Sequence, residues 1–366
     1  MPQNPFMYGP VVTGRDFVNR EEELRLLSRE LLSGKSVVLY SPRRMGKTSL
    51  VKEFLRRLHG DARGVYLDVS STASLPQFLE ELATRIARST QTRLEATQRL
   101  LGKFFRSLRP RVFADYQGRI GVELGIAEIP PPEELSEVLN LPEKLAQKHG
   151  HRLVVAFDEF QEIAAFDGGW LERAMRAEFQ HHKAVSYVFA GSQVHLLRTI
   201  FEDKTRSFWK FARGMSLGPI VTEAFRPFLV GRFTSSGREA SPEAVEWLLQ
   251  QTRGLPYQTQ QLAHELWFAL EEETESATDR ALQAVLDHEA ANFETLWAGL
   301  RSASQRRLLE GIAQRGRFDY SEEFVREFRL KTQSHVQKAA QALEQKGIIQ
   351  EGQFVDPFFE EWIRRR

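Results

Sequence analysis

Apolar positions along this chain recur at two periods, and the change between them divides the sequence. Residues 20–33 place Leu24, Leu27, Leu31 and Leu32 on one side of an amphipathic helix, with charges opposite and Gly34 as its stop. Ser36-Val-Val-Leu-Tyr40 is short and apolar and reads as a buried strand. A loop follows, and then Leu50, Val51, Phe54, Leu55 and Leu58 return to helical spacing. Gly64 to Val69 predicts a second strand, and Leu75 to Ala87 a helix with Pro76 in its first turn. A helix over 133–149 precedes the apolar strand Leu153 to Phe157, and one over 170–182 precedes Ser186 to Ala190. Strands alternating with helices predict an α/β fold with a parallel sheet and helices on both faces. Ligands of such sheets sit at the carboxyl ends of the strands.

Two stretches break the alternation. Arg111 to Tyr116 and Arg119 to Ala127 flank Gln117-Gly118, which predicts an inserted β-hairpin near 110–128, closed by Pro130-Pro131-Pro132. Beyond about residue 223 the strand signal disappears, and Pro242 to Leu249, Tyr257 to Glu272 and Asp279 to Gly299 read as a small helical lid. The remainder predicts helices near 303–314, 321–329 and 332–346 and two short strands around Ile348 and Phe354, the pattern of a winged helix-turn-helix. The expected division is a core over 1–222, a lid over 223–298 and a winged helix over 299–366.

Composition narrows the chemistry. With 366 residues the chain is too long for one ordinary core. The absence of cysteine excludes disulfides, thiolate metal sites and cysteine nucleophiles, and agrees with a reducing compartment. Fifty basic against 49 acidic residues leave +1, so nucleic acid or an anionic membrane would have to be met by a local patch. No apolar run approaches the ~18–20 residues that span a bilayer. The start lacks the basic and apolar regions of a secretory signal. The expectation is a cytoplasmic protein with no membrane partner.

Between the first strand and its helix lies Ser41-Pro-Arg-Arg-Met-Gly-Lys-Thr48, which has the ending and spacing of a Walker A phosphate loop, with serine in place of the first glycine. Backbone amides of Ser41, Pro42, Arg43, Arg44, Met45, Gly46 and Ser49 are candidates to line the phosphates, less the missing N–H of Pro42. A helix N-terminus favours anions through its unpaired amides and macrodipole. Lys47 is placed to reach the β- and γ-phosphates, and Thr48 to bind Mg²⁺ through its hydroxyl. Arg43 and Arg44 add positive charge that either touches phosphate or a neighbouring subunit or is simply solvated.

The strand ending Phe157-Asp158-Glu159 fits the Walker B pattern. Asp158 is the candidate Mg²⁺ ligand and Glu159 the general base for the attacking water. Adjacent strand residues point to opposite faces, so the two acids are expected to face apart. The pair favours hydrolysis over transfer to a small-molecule hydroxyl. Ser192 and Gln193, just past a further strand, stand where a γ-phosphate sensor is expected, or cap the next helix.

With these motifs the chain resembles the archaeal-type AAA+ ATPases, also found in bacteria, of the signal-transducing STAND lineage. The resemblance runs nearly end to end. It is carried by Asn4-Pro-Phe6, Phe17-Val-Asn-Arg-Glu21, Pro42 to Leu50, Phe157-Asp-Glu-Phe-Gln161, Ala190-Gly-Ser-Gln193, Gly254-Leu-Pro256 and Val355-Asp-Pro-Phe-Phe359 with Trp362. It implies a P-loop NTPase fold of the additional-strand (AAA+/ASCE) type, ATP/ADP and Mg²⁺ as ligands, and self-association on ATP binding in some kin. It places Phe17, Asn19 and Arg20 beside the adenine and ribose, and Pro256 over the nucleotide. Arg213 resembles an arginine that completes a nucleotide site, with Arg206 as the alternative. Arg253 is a further lid-sensor candidate whose role stays open.

The winged helix leaves two partners open, DNA or protein. Its second helix would present Thr332, Gln333, Ser334, His335, Gln337, Lys338 and Gln341. Residues 299–366 hold only thirteen basic against ten acidic residues, few for duplex phosphate contacts.

Overall fold

Val37–Tyr40, strand β1, is buried along its whole length, as a strand covered by helices on both faces must be. The computed structural model of the chain describes residues 3–90, 109–114, 120–125, 132–167, 169–271, 277–318 and 320–366. The remaining strands are β2 (Ala62–Asp68), β3 (Arg109–Ala114), β4 (Ile120–Gly125), β5 (Arg152–Asp158), β6 (Val185–Gly191), β7 (Arg213–Ser216), β8 (Ile349–Gln350) and β9 (Gln353–Phe354). Five form a parallel sheet in the order β2-β5-β6-β1-β7. Thus β6 stands between the strand that leads into the phosphate loop and the strand that ends in the acids. Register pairs Tyr40 with Gly191 and Phe157 with Phe189, so the segments after β1, β5 and β6 leave the sheet at one edge. β3 and β4 pair antiparallel as the expected inserted hairpin, while its Gln117-Gly118 turn lies outside the described residues.

Differences from the sequence reading have local causes. The expected 133–149 helix is two, Pro132–Leu139 and Leu141–His149, because Pro142 has no N–H to bond back to Val138. β7 was not foreseen. Its Arg213-Gly-Met-Ser216 run has no alternation and buries Met215 alone, as suits an edge strand. The helix Thr222–Ser235 was also missed, since Pro227 sits inside it and reads as a breaker.

Aromatic rings set the carboxyl end of β5. Phe157, Phe160, Phe189, Phe208 and Tyr187 are all buried in one cluster, with ring centroids 5.9 Å apart for Phe157 and Phe189 and 4.6 Å for Phe160 and Phe189. Phe157 immediately precedes Asp158 and Phe160 follows Glu159. The two acids are therefore held between anchored neighbours.

The chain forms two compact units, Val11–Gly218 and a second made of Pro219–Arg366 with Met1–Pro10. The second is helical. Ser241 caps the helix Pro242–Thr252, Pro256 opens the helix Pro256–Ala269, and Ala277–Ala298 follows. The winged helix-turn-helix comprises Ala303–Arg315, Glu322–Glu327 and Gln333–Gln345 with the β8-β9 wing. Ser321 and Thr332 cap its later helices through their hydroxyls. A last helix, Pro357–Arg365, buries Phe358 and Phe359. The first residues stitch into this unit: Asn4 Nδ2 donates to the His264 carbonyl at 3.1 Å, and buried Phe6 lies 4.6 Å from Phe233. Gly254 has φ +69° and accepts from the Ile220 amide at 2.9 Å, and a side chain there would overlap the Ile220 carbonyl.

Phe189→Ala removes the ring shared by most of the aromatic cluster. Its loss should cost ~3–5 kcal/mol, read as a lowered urea midpoint.

Candidate active site

Two left-handed backbone positions, Gly46 and Glu159, bring the site together. The helix Lys47–Arg57 opens at Gly46, which takes a left-handed φ of +79° and leaves the amides of the first helical turn without a side-chain cap. The loop itself is braced from below. Buried Arg20 donates to the Met45 carbonyl at 3.3 Å and to the Gly218 carbonyl at 2.6 Å. Ser49 Oγ accepts from the Val12 amide at 3.1 Å, and Glu53, itself bound by Arg56 and Arg57, accepts from the Gly14 amide at 2.9 Å. These contacts tie the segment before Phe17 to the phosphate-loop helix.

β5 ends at Asp158, and Glu159 follows with φ +49°. That left-handed turn overrides strand alternation, so the two acids do not face apart as expected. Both converge on Lys47, whose Nζ lies 2.9 Å from Asp158 Oδ1 and 2.8 Å from Glu159 Oε1. Thr48 Oγ1 donates to Asp158 Oδ2 at 2.6 Å, and Tyr66 Oη donates to the same oxygen at 2.9 Å. The other glutamate oxygen, Oε2, accepts from Gln161 Nε2 at 2.7 Å and from the Ser192 amide and hydroxyl at 3.0 and 2.8 Å.

The Lys47–Asp158 pair is buried, while Glu159 keeps a quarter of its side chain exposed. Lys47 is 6% exposed and Asp158 3%. Removing the ammonium would leave a buried carboxylate uncompensated, at ~3–5 kcal/mol. Burial pushes the Glu159 carboxyl up, but hydrogen bonds from Gln161 and Lys47, the Lys47 charge and the Ser192 amide outweigh it and hold the group down to about 2. Burial, then the neighbouring Asp158 charge, pushes the Tyr66 phenol well up, so it stays a donor.

Of the residues singled out from sequence, Ser41, Gly46, Lys47, Thr48, Asp158, Glu159 and Ser192 gather at this edge of the sheet. Arg43 lies beside them, its Nε 3.5 Å from Ser192 Oγ, and both Arg43 and Arg44 are exposed. Pro42 and Met45 are the loop's remaining members, with Met45 buried. Gln193 turns to Glu162, 3.4 Å away. Phe17 is half-buried and Asn19 is exposed, its side chain accepting from the Glu21 amide. Arg213 lies elsewhere. It starts β7 opposite Val37, at the amino end of β1, and pairs with Glu30 at 2.7 Å. Arg206 pairs with Glu172. Pro256 and Arg253 belong to the second unit, where Arg253 is bound to buried Glu360 at 2.5 Å.

Tyr66 and Gln161 were not assigned a role from sequence. The signal for Tyr66 is topological: β2 pairs with β5 in register Tyr66 to Ala156, which brings the phenol near Asp158. For Gln161 it was the amide two residues past a glutamate. Among the described residues no cluster of three His, Asp or Glu could cage a metal. The hydroxyl of Thr48 and the carboxylate of Asp158, both hard oxygen donors, fit Mg²⁺, which keeps waters and phosphate oxygens and needs no protein cage.

A family model described as an ATPase domain predominantly from Archaea matches residues 17–258, and a second, described as a probable winged helix domain, matches 291–365. The uncharacterized ATP-binding protein MJ0423 of Methanocaldococcus jannaschii is 49% identical over 51 residues, 13% of this chain and 80% of that protein. Among solved structures, the Walker-type ATPase PABY2304 of Pyrococcus abyssi matches with TM-score 0.66 and 19% identity over 97% of this chain and 98% of its own. The ORC2 protein of Aeropyrum pernix, solved as ADPNP-ADP complexes, matches with TM-score 0.53 and 14% identity, covering 94% and 93%. At these identities the two structures attest the fold.

The depressed Glu159 carboxyl carries a stability signature. Its contribution is complete above the ordinary value of 4.5 and is lost as pH falls through about 2. Glu159→Gln has no such group, so its urea midpoint should fall less steeply than wild type across that window. Parallel profiles would contradict the arrangement.

Proposed function

The chain belongs to the family of ATPase domains found predominantly in Archaea, and from that premise we propose that it binds ATP with Mg²⁺ and hydrolyses it slowly to ADP and phosphate. In this reading it is a STAND-type molecular switch, with nucleotide state coupled to the C-terminal winged helix. The observation that carries the proposal is the meeting of Lys47 and Thr48 with Asp158 and Glu159 at 2.6–2.9 Å, across the intervening strand β6.

Phosphate oxygens compete with the carboxylates for Lys47. The loop amides and Lys47 would bind the β- and γ-phosphates, and Thr48 and Asp158 would hold Mg²⁺, which would supply charge neutralisation on the phosphates. Drawing Lys47 toward phosphate strips Glu159 of one hydrogen bond and a full positive charge. Its carboxyl then rises from about 2 and becomes a better proton acceptor. The Glu159 carboxylate takes a proton from water as the water oxygen bonds to the γ-phosphorus. The bond from that phosphorus to the β–γ bridging oxygen breaks, and ADP leaves with its electrons.

Arg213 sits at the amino end of its own sheet, so a finger role for it would be exercised on another copy of the chain. Mass measurement with a slowly hydrolysed ATP analogue tests that self-association. The exposed Ser334, His335, Gln337, Lys338 and Gln341 of the winged helix favour a second reading, a DNA-associated ATPase. With one lysine among them, duplex binding by this face should be weak. A shift in a gel assay that vanishes with added salt, together with DNA-stimulated turnover, would support it. An absent or salt-insensitive shift would favour protein docking.

Glu159→Gln should retain ATP binding and lose turnover by about 10²–10⁴-fold, the usual size of a general-base contribution. Lys47→Ala should lose ATP binding itself, measured with a fluorescent nucleotide. Unchanged turnover in Glu159→Gln would refute the assignment, and a wild type that binds without any turnover would point to a nucleotide-stabilised scaffold.

A further inference from the structure

Gln161 is buried, 4% exposed, in the short 3₁₀ turn Phe160–Ile163 that follows Glu159. Its Nε2 donates to Glu159 Oε2 at 2.7 Å and to Glu162 Oε1 at 3.3 Å. Its own Oε1 is buried and, among the described residues, no protein group donates to it. The amide cannot be turned over to improve this, because its oxygen would then face two carboxylates. The side chain is thus committed through its donor end, to Glu159 and Glu162. The space for it is also specific. The unpaired oxygen lies against Gly191, the last residue of β6, and a methyl group at Gly191 would overlap Gln161 Oε1 and come within 3.0 Å of Leu197 Cδ1.

The two oxygens of Glu159 are unequally treated. Oε2 accepts three donors, from Gln161 Nε2 and from the Ser192 amide and hydroxyl. Oε1 accepts from Lys47 Nζ, the one group of this set that phosphate would draw away. We propose that Gln161, seated in the space left by Gly191, is a positioning residue that works with Ser192 to anchor Glu159 Oε2, so that Oε1 alone turns to the attacking water. This rests on the reading of Glu159 as the base. It assigns the work to one oxygen and makes Gly191 part of the catalytic support.

The test is made on the full chain, with ATP affinity and turnover at saturating ATP and Mg²⁺ measured separately. Gln161→Met fills a similar volume without a donor. It should lower kcat about 10–100-fold, as expected for a misplaced catalytic group, with ATP Kd essentially unchanged. Gly191→Ala should show the same split by pushing the amide aside. In a Gln161→Ala background the overlap with Oε1 is relieved and only the tight Leu197 contact remains, so Gln161→Ala/Gly191→Ala should turn over no more slowly than Gln161→Ala alone. Unchanged kcat in Gln161→Met would overturn the proposal. So would kcat and Kd worsening together in both single variants, or the double variant losing the product of the single losses. If Glu159→Gln hydrolyses like wild type, the base assignment itself fails. If Glu159→Gln is inactive while Gln161→Met is normal, only the role of Gln161 fails.

Discussion

One largely buried ammonium group shared by two carboxylates organises the carboxyl edge of the sheet. Lys47 comes from a helix N-terminus after β1, and Asp158 and Glu159 come from the end of β5, with β6 between them. In water such a triad would be worth little, but here burial makes each charge depend on the others. Every neighbouring polar group then has a defined task. Thr48 and Tyr66 saturate Asp158, while Gln161 and Ser192 saturate Glu159. In the proposed reading, a phosphate chain entering the loop would have to out-compete these partners for Lys47.

The left-handed backbone at Glu159 makes the sharing geometrically possible. A regular strand would send consecutive side chains to opposite faces. A non-glycine residue at φ +49° is a strained arrangement, held here by the aromatic packing of Phe157 and Phe160 on either side. The phenylalanine cluster is thus the rigid bed on which the acids are aimed.

Much of the architecture is legible in the sequence because its strands are short apolar runs buried on both faces and its amphipathic helices carry leucines and other apolar residues at helical spacing. The phosphate loop and the acidic pair were legible as local patterns. What escaped depended on contacts between distant residues. The edge strand β7 buries a single side chain and carries no periodic signal, so Arg213 was read without the pairing that puts it at the amino end of the sheet. The convergence of the acids turned on one dihedral angle, and the roles of Tyr66 and Gln161 on strand register and on the space beside a glycine. Arg20, expected near the nucleotide, is engaged with loop carbonyls, which a linear motif does not reveal.

The helical unit is assembled from both ends of the described order: Asn4 and Phe6 belong with residues emitted more than two hundred positions later. During synthesis the ATPase core between them emerges as one uninterrupted block and can complete its sheet first. Asn4 and Phe6 can take up these contacts only after His264 and Phe233 have been synthesised. Vectorial translation therefore makes the Val11–Gly218 unit the earlier folding block, and gives its helical companion a later closing step in which Asn4 and Phe6 meet His264 and Phe233.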